Sequence, residues 1–379
     1  MGLSLGRESE YNNARIPALD YRWPACACRT QTGGATGKIN VMFSERTYIR
    51  KTRYAAQLFF LLLTIFIGYN FYRFVLHFIN PVYPYVQRPP SVDAFLPIGG
   101  FMAFKYFLLT GIIEPVHPSG FILFVAVVLV SMLMKKGFCG WICPIGTVSQ
   151  YFWMAGERIF GRGFTIEKHT DMGLRSLKYV LMSLFLILIG IAMTPNMMVL
   201  FFITDYYKTA DVRMMRFFTN MSAVTMWVLI ALGILSLFYK NFWCRYLCPY
   251  GALLGLVSLI SPVKIRRNVE KCNHCRSCSI HCPTSIDVEK KEVVSSPECF
   301  GCMTCISRCP AEGALDITFR AGKKLKVLRP YLYPAILVIV FYMVIGVGVL
   351  SGKWHSQVPN EDYERIIPQL IHVKNGILK

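Results

Sequence analysis

Charge is scarce in this sequence, and acidic charge scarcest. Of 379 residues only 16% are charged, with 21 Asp and Glu against 41 Lys and Arg. Such a chain lacks the polar surface of an ordinary soluble domain. With 54% hydrophobic residues and a mean hydropathy of +0.43, a membrane class is the expectation. Cys-x-x-Cys-His is also absent, which excludes a c-type haem attached to this chain. The shortage of acid leaves a formal net charge of +20. Basic chains can bind nucleic acid. Here the basic residues are better read as loops held on the cytoplasmic side of a bilayer, and no nucleic-acid partner is expected.

Cysteine, by contrast, is plentiful, with 14 residues. Eight form Cys272-x-x-Cys275-x-x-Cys278-x-x-x-Cys282-Pro283 and Cys299-x-x-Cys302-x-x-Cys305-x-x-x-Cys309-Pro310. This is the spacing of a two-cluster bacterial ferredoxin, in which the fourth cysteine of each run ligates the other cluster. One [4Fe–4S] cluster is thereby assigned to Cys272, Cys275, Cys278 and Cys309, and a second to Cys299, Cys302, Cys305 and Cys282. Thiolates two residues apart let a short loop wrap one cube with its N–H groups turned to the sulfurs. Zinc usually takes paired Cys-x-x-Cys units instead, and disulfides need an oxidising compartment. With every cysteine position filled, His274 and His281 read as hydrogen-bonding or exposed residues. Ile286-Asp287-Val288 and Leu315-Asp316-Ile317 repeat after the two runs, as expected for a module of two similar halves.

Residues 1–41 have no apolar period and are expected to be disordered; Cys26 and Cys28 there make a poor chelate. A natural start at Met42 would make this stretch an extension. Five apolar segments, at 54–79, 119–134, 178–195, 223–239 and 331–350, are read as transmembrane helices. The first is too long and too far along to be a cleaved signal. With the N-terminus inside, residues 1–53, 135–178 and 240–330 carry 31 of the 41 Lys and Arg. That bias places the cysteine module in the cytoplasm and the C-terminus outside. The expected domains are a basic, disordered segment 1–53, a four-helix membrane bundle 54–261, an α+β ferredoxin-like module 262–325, a fifth span 326–350 and an outer tail 351–379. The stretch 95–115 reads as a helix at the outer interface or a re-entrant segment.

The second and fourth spans both run into the same motif. Cys139-Gly-Trp-Ile-Cys143-Pro144-Ile-Gly146 matches Cys244-Arg-Tyr-Leu-Cys248-Pro249-Tyr-Gly251, an internal repeat of two membrane hairpins. A pair at i and i+4 shares a helix face, and proline sits where a new helix starts. Two such faces can offer four thiolates to a further centre: a third cluster, copper or a redox-active thiol pair. Other ionisable residues are weaker candidates. Arg73 and His77, and likewise Lys105, Glu114 and His117, read as side chains snorkelling near the outer interface. Trp354-His355 opens an outer tail read as an interaction segment, and Met197 and Met198 lie together on the outer side.

Two membrane Cys-x-x-x-Cys-Pro motifs followed by a two-cluster module resemble the NapH/NosR/CcoG-type membrane polyferredoxins. The likeness runs from about residue 54 to 350. It implies an electron-transfer protein of a bacterial inner membrane, working between the quinone pool and a partner such as a periplasmic reductase or cytochrome, or assisting the maturation of an oxidase. It puts the cluster ligands on the eight ferredoxin cysteines and the membrane motif on Cys139, Cys143, Cys244 and Cys248. No extended N-terminal flavin domain and no C-terminal immunoglobulin-like domain are present, so the NapH type is nearest in architecture. The expected function is a quinol-linked relay, with the chain as the membrane component of a quinol oxidoreductase. Cluster-dependent copper reduction is the alternative, because soft sulfur favours Cu(I); a purely structural anchor is a third class.

Overall fold

The computed structural model describes residues 36–161, 163–321 and 324–372. The expectations for residues 1–35, including Cys26 and Cys28, lie outside them. The first helix, α1 (Thr36–Ile79), starts inside the stretch expected to be unstructured, so residues 36–53 are helical. No proline interrupts its 44 residues, and Arg53 and Gln57 anchor its N-terminal half inside the protein. After the loop 80–96 come α2 (Pro97–Thr110), α3 (Pro118–Leu133), α4 (Gly137–Trp141) and α5 (Pro144–Phe160). Next, α6 (Lys168–Phe185) widens into a π-helix at Leu186–Ala192. Two short helices, α7 (Pro195–Phe202) and α8 (Asp205–Lys208), lead to α9 (Ala210–Thr219) and α10 (Ala223–Phe238). A π-turn at Trp243–Leu247 then opens α11 (Pro249–Val257).

Five spans were expected. Three helices are long and apolar enough to cross a membrane, Tyr48–Ile79, Lys168–Ala192 and Leu332–Leu350; a fourth passes if α9 and α10, bent by 75°, count as one. The expected span 119–134 is not among them. α3 has 16 residues, about 24 Å, short of a hydrocarbon core of about 30 Å. It is apolar because it is buried among other helices: most of its residues from Pro118 to Val130 are hidden, against α2 and α14. On α1 the opposite holds. Leu58, Phe59, Leu62, Ile65 and Phe66 are all at least half exposed, a face that water would not tolerate at this size and that lipid accepts. The stretch 95–115 forms the single helix α2, packed so closely on α3 that a side chain at Gly100 would meet the carbonyl of Gly120.

The module follows α11. Its strands β1 (Val263–Arg267), β2 (Val293–Val294), β3 (Leu315–Ala321) and β4 (Lys324–Val327) form one antiparallel sheet in the order β2-β1-β3-β4. Two one-turn helices, α12 (Ser277–Ile280) and α13 (Thr304–Ser307), close the cysteine loops. Ile265 pairs with Val294 on one side and Ile317 on the other. All three are buried with the cysteines in one core, so strand alternation turns one face to the clusters' loops. The repeat of flanking sequences is not matched in structure: 315–317 lies in β3, whereas 286–288 is irregular. Only one copy finds a strand partner, because β1 is already paired on its other side by β2.

The chain ends with α14 (Leu332–Leu350) and α15 (Asn360–His372). The outer tail, expected to serve a partner, folds back on the chain itself. Tyr363, Ile366 and Ile367 are buried, and Tyr363 meets Phe74 of α1 edge-on at 5.3 Å. A period-3.6 apolar stripe on an otherwise charged helix is the physical reason.

α5 and α10 approach backbone to backbone. A methyl added at Gly156 would collide with the Leu237 carbonyl. Gly156→Ala should therefore destabilise the bundle by roughly 1–3 kcal/mol or more, read as a lower unfolding midpoint in detergent, whereas Gly163→Ala, with open space around it, should leave that midpoint unchanged.

Candidate metal centres

Both ferredoxin runs fold the same way. The second and fourth residues after the first cysteine take positive φ: His274 (54°) and Arg276 (58°) in one loop, Gly301 (60°) and Met303 (54°) in the other. Three of the four are not glycine, and each costs about 1 kcal/mol or more in that region. What the twist achieves is to turn successive N–H groups to one side, a nest that suits an anionic sulfur cage. Gly301 is needed twice over, since a side chain there would also run into the Tyr333 hydroxyl. Cys282, Cys299, Cys302 and Cys305 line one cavity with Ile265, Ile286 and Phe300. Cys272, Cys275 and Cys278 lie within one another's field. Ser277 Oγ donates to the Arg308 carbonyl at 3.0 Å, which ties the end of the second run to the first. Hydroxyls flank two of the sulfurs: Thr304 Oγ1 is 3.3 Å from Cys302 Sγ and Thr284 Oγ1 is 3.4 Å from Cys282 Sγ.

The four membrane-motif cysteines also converge, each within the electrostatic reach of others of the set. They do so in a way helix periodicity did not foresee. Cys143 and Cys248 are not on the helix of their partners. Each has extended backbone, φ −62° with ψ 119° and φ −75° with ψ 105°, because the proline that follows bars the helical region. Each closes a wide turn instead: Cys143 N–H donates to the Phe138 carbonyl at 2.9 Å and Cys248 N–H to the Trp243 carbonyl at 3.0 Å. Pro144 and Pro249 then open α5 and α11. Gly251 N–H donates to Cys248 Sγ at 3.2 Å, so a helix N-terminus faces that sulfur and favours its thiolate form. As thiols these groups resist ionisation, because burial pushes Cys143 up to about 11 and Cys299 up to about 12. Loading with metal therefore releases protons.

The bundle grips the module at this joint. Asp171 of α6 accepts two bonds from Arg245, Nε to Oδ1 and Nη2 to Oδ2, both 2.9 Å, and one from the Tyr246 hydroxyl at 2.5 Å. Arg245 also donates to the Thr284 carbonyl beyond Cys282. Arg53 Nε donates to the Gly140 carbonyl between Cys139 and Trp141, and Nη1 to Thr304 Oγ1. Trp141 Nε1 reaches the Gly301 carbonyl at 3.2 Å. Sequence reasoning missed Arg53, Lys135, Lys136, Asp171 and Glu298. The available signal was charge at the ends of apolar runs: Lys178, at the head of an expected span, is fully buried and its Nζ donates to both carboxylate oxygens of Glu298 at 2.6 Å.

Two cations are left over. Lys135 and Lys136 are 2% and 1% exposed, and neither Nζ has a hydrogen-bond partner among the described residues. Lys136 Nζ acts on Cys139, Cys244 and Cys248 and sits 5.3 Å over the Phe300 ring; Lys135 acts on Cys299. A buried, unsatisfied ammonium costs several kcal/mol. The one carboxylate acting with Lys136, Glu298, is already bonded by Lys178, and a [4Fe–4S] group with four thiolates carries the further negative charge that two such ammoniums call for. The residues present thus fit an anionic iron–sulfur group at both places.

Sequence comparison agrees. A 4Fe-4S binding domain matches residues 116–163 and again 219–268, each stretch holding one Cys-x-x-x-Cys-Pro motif, and a 4Fe-4S dicluster domain matches 264–310. The Escherichia coli (strain K12) protein YccM, whose name assigns it to electron transport, is 40% identical over 321 residues, covering 84% of this chain and 90% of that one. The chain belongs to the NapH/NosR-type polyferredoxins. Ferredoxin-type protein NapH of the same E. coli strain is 25% identical over 51% of this chain and 65% of its own. Regulatory protein NosR of Stutzerimonas stutzeri is 25% identical over 55% of this chain and 29% of its own. No solved structure matches. The polyferredoxin family is one of iron–sulfur electron-transport proteins, and the candidate spans make this member a membrane protein.

Away from the clusters, the polyferredoxin holds a buried charge network that snorkelling does not explain. Glu114 and His117 are 0% and 2% exposed; they were expected at an interface. His117 Nδ1–H donates to Asp93 Oδ1 at 3.0 Å and Nε2–H to the Tyr207 carbonyl at 2.8 Å. Arg88 donates to Asp93 and, through Nε at 2.8 Å, to Asp211. Glu114 accepts from the N–H groups of Val116 and His117 and from the Tyr207 hydroxyl. The ligand atoms of Asp93, His117 and Asp211 lie within 4.8 Å of one another, but the Arg88 guanidinium supplies the charge a metal would bring. Burial opposes the charge on His117, yet Asp93 outweighs it and raises the imidazole to about 9. Since that is above its ordinary 6.5, the stabilisation is fully present below pH 6.5 and lost as pH rises through 9. The unfolding midpoint should fall over that window by an amount equivalent to at most about 3 kcal/mol, and His117→Gln should flatten the profile. Asp93, Asp211, Arg88 and Glu114 act on the group, and the Tyr207 ring lies against it.

The remaining candidates have local roles. His77 Nδ1–H donates to the Tyr83 carbonyl at 2.7 Å, and Arg73 is half-buried on the same helix. Lys105 Nζ caps the π-helix by donating to the Ile189 and Met193 carbonyls. His274 pairs with Glu289 at 2.9 Å, and His281 Nδ1–H donates to the Ser277 carbonyl. Met198 is in the core while Met197 is exposed, so the two do not face one ion.

Proposed function

We propose that this chain is a membrane relay that exchanges electrons between the quinone pool and a partner redox protein. The module's eight cysteines would hold two [4Fe–4S] clusters in the sets assigned from sequence. Cys139, Cys143, Cys244 and Cys248 would hold a third centre between module and bundle. In this reading five segments cross a bacterial inner membrane, α3 as a short central span shielded from lipid by α2 and α14, with the module on the cytoplasmic side and the C-terminus outside, which the distribution of Lys and Arg supports. One observation carries the proposal: four thiols and a buried ammonium without a hydrogen bond meet in the joint where the bundle grips the module. When bound, the clusters supply one-electron storage. The chain's own part is to exclude water with Trp141, Phe300 and Tyr333, to fix the distance between centres through Arg53 and Arg245, and to set the local charge with Lys135 and Lys136.

The test is spectroscopic. A quinol analogue added to oxidised protein in detergent, or a quinone added to reduced protein, should change the cluster EPR signal. If no quinone couple of any midpoint does so, the quinone reading fails while the iron–sulfur reading stands.

A further inference from the structure

A cavity of about 90 Å³ lies where α1, α5 and the cysteine module meet. That is room for about six water-sized groups, the size of one six-membered ring. Its walls hold an uneven set of polar groups. Trp153 is 8% exposed, and its indole N–H has no partner among the described residues. The Tyr54 hydroxyl and Gln150 Nε2 both point at the thioether sulfur of Met154, each at 3.8 Å, and sulfur of this kind is a weak acceptor. Three donors thus line one cavity, and none of them has a strong acceptor as its partner among the described residues. The Arg53 guanidinium is different: its N–H groups are already placed on Gly140, Thr304 and Gln150. The missing element is an acceptor oxygen on a flat ring, and aromatic side chains already form the wall.

Two further features narrow the ligand. Cys302 lines the same cavity, and Arg53 Nη1, Thr304 Oγ1 and Cys302 Sγ form a chain at 2.9 and 3.3 Å. The outer faces of both helices are apolar and open: Phe59 on α1 is 58% exposed and Ile159 on α5 is 70% exposed. α5 is in fact inverted, with Thr147, Ser149 and Gln150 inside and Ile145, Val148 and Phe152 outside. Both helices that wall the cavity thus present apolar surface along which a lipid-soluble molecule can approach.

We propose that this cavity binds the head group of a quinone, with Tyr54, Gln150 and Trp153 donating to its carbonyl oxygens. The site rests on the quinone reading above. Interconversion of quinone and quinol moves two electrons and two protons. Cys302 would hold the cluster that supplies or takes the electrons one at a time, and Glu157, which also lines the cavity, would exchange the protons with solvent.

Two measurements on the cluster-loaded protein test it. First, an azido-substituted quinone is photolysed with the wild-type protein and the labelled peptides are sequenced by mass spectrometry. Label within 48–57 or 144–160, suppressed by excess unlabelled quinone, is the expected result; label confined elsewhere overturns the site. Second, Tyr54→Phe/Trp153→Phe keeps an aromatic ring at each position and removes two donors. Its affinity for the quinone should fall about 5- to 100-fold, with the cluster EPR signals unchanged in number. If the wild type exchanges electrons with quinol and the double variant binds as tightly as the wild type, the site is wrong and the quinone reading survives. If the wild type exchanges none, the quinone reading fails, and the labelling alone decides whether the cavity binds quinone.

Discussion

Protein purified without oxygen should carry about twelve irons and twelve acid-labile sulfides per chain, and Cys139→Ser/Cys244→Ser about eight. The module alone accounts for eight. The remaining four depend on whether the membrane motifs build a cluster or hold something smaller. Three features favour the cluster. The motif cysteines converge from two halves of an internal repeat, as four ligands to one group must. Each half ends in an i→i+5 turn closed by its second cysteine, so the backbone is shaped around the sulfurs and not around a continuous helix. The neighbouring charge is a buried ammonium, which matches an anionic cage and would repel a bare copper ion. The double substitution removes one ligand from each half and leaves the module untouched, so its two clusters serve as the internal standard. Wild-type protein with eight irons, or a variant that keeps all twelve, would sink the third centre. Metal analysis that finds stoichiometric copper in its place would favour the metal-handling alternative.

The ferredoxin module was legible because its chemistry is local in sequence. Three thiolates two residues apart can only wrap one object, and the grouping of Cys282 with Cys299, Cys302 and Cys305 around one cavity follows the fourth-ligand exchange that the spacing implies. The membrane motifs were legible as sites but not as shapes. A spacing of i and i+4 implies one helix face, yet proline at the next position forces the second cysteine into extended backbone, and a local rule overrode a periodic one. Hydropathy found α1, α6 and α14, whereas the apolar run of α3 is shorter and answers to burial by neighbouring helices. It passed over α5 altogether, because a helix with its polar side chains inside has no apolar run to detect. Buried charge was the least legible feature. Glu114 and His117 looked like interface residues because nothing in the sequence tells that Arg88, Asp93 and Asp211, drawn from up to 123 positions apart, come to meet them.

Lys136→Met should lower the midpoint potential of the centre at the membrane motifs, by on the order of 100 mV. The sign follows from charge. Reduction adds an electron to an anionic group, and a buried ammonium nearby favours the more negative state; its removal disfavours reduction. The magnitude follows from Coulomb's law for a unit charge within about 10 Å at an effective dielectric near 20, converted at about 59 mV per tenfold change in a one-electron equilibrium. Lys136 is the residue to change because its Nζ has no hydrogen-bond partner among the described residues and the carboxylate it acts on, Glu298, keeps its bonds to Lys178, and methionine fills a similar volume. Lys136→Arg keeps the charge and should keep the potential. Lys135→Met, whose ammonium acts on Cys299 instead, should shift a module cluster and leave the membrane centre where it was. The two variants therefore exchange roles in an EPR-monitored redox titration. If both leave every midpoint unmoved, the lysines are not counter-charges to the clusters, and the argument that these buried cations mark anionic metal centres is lost.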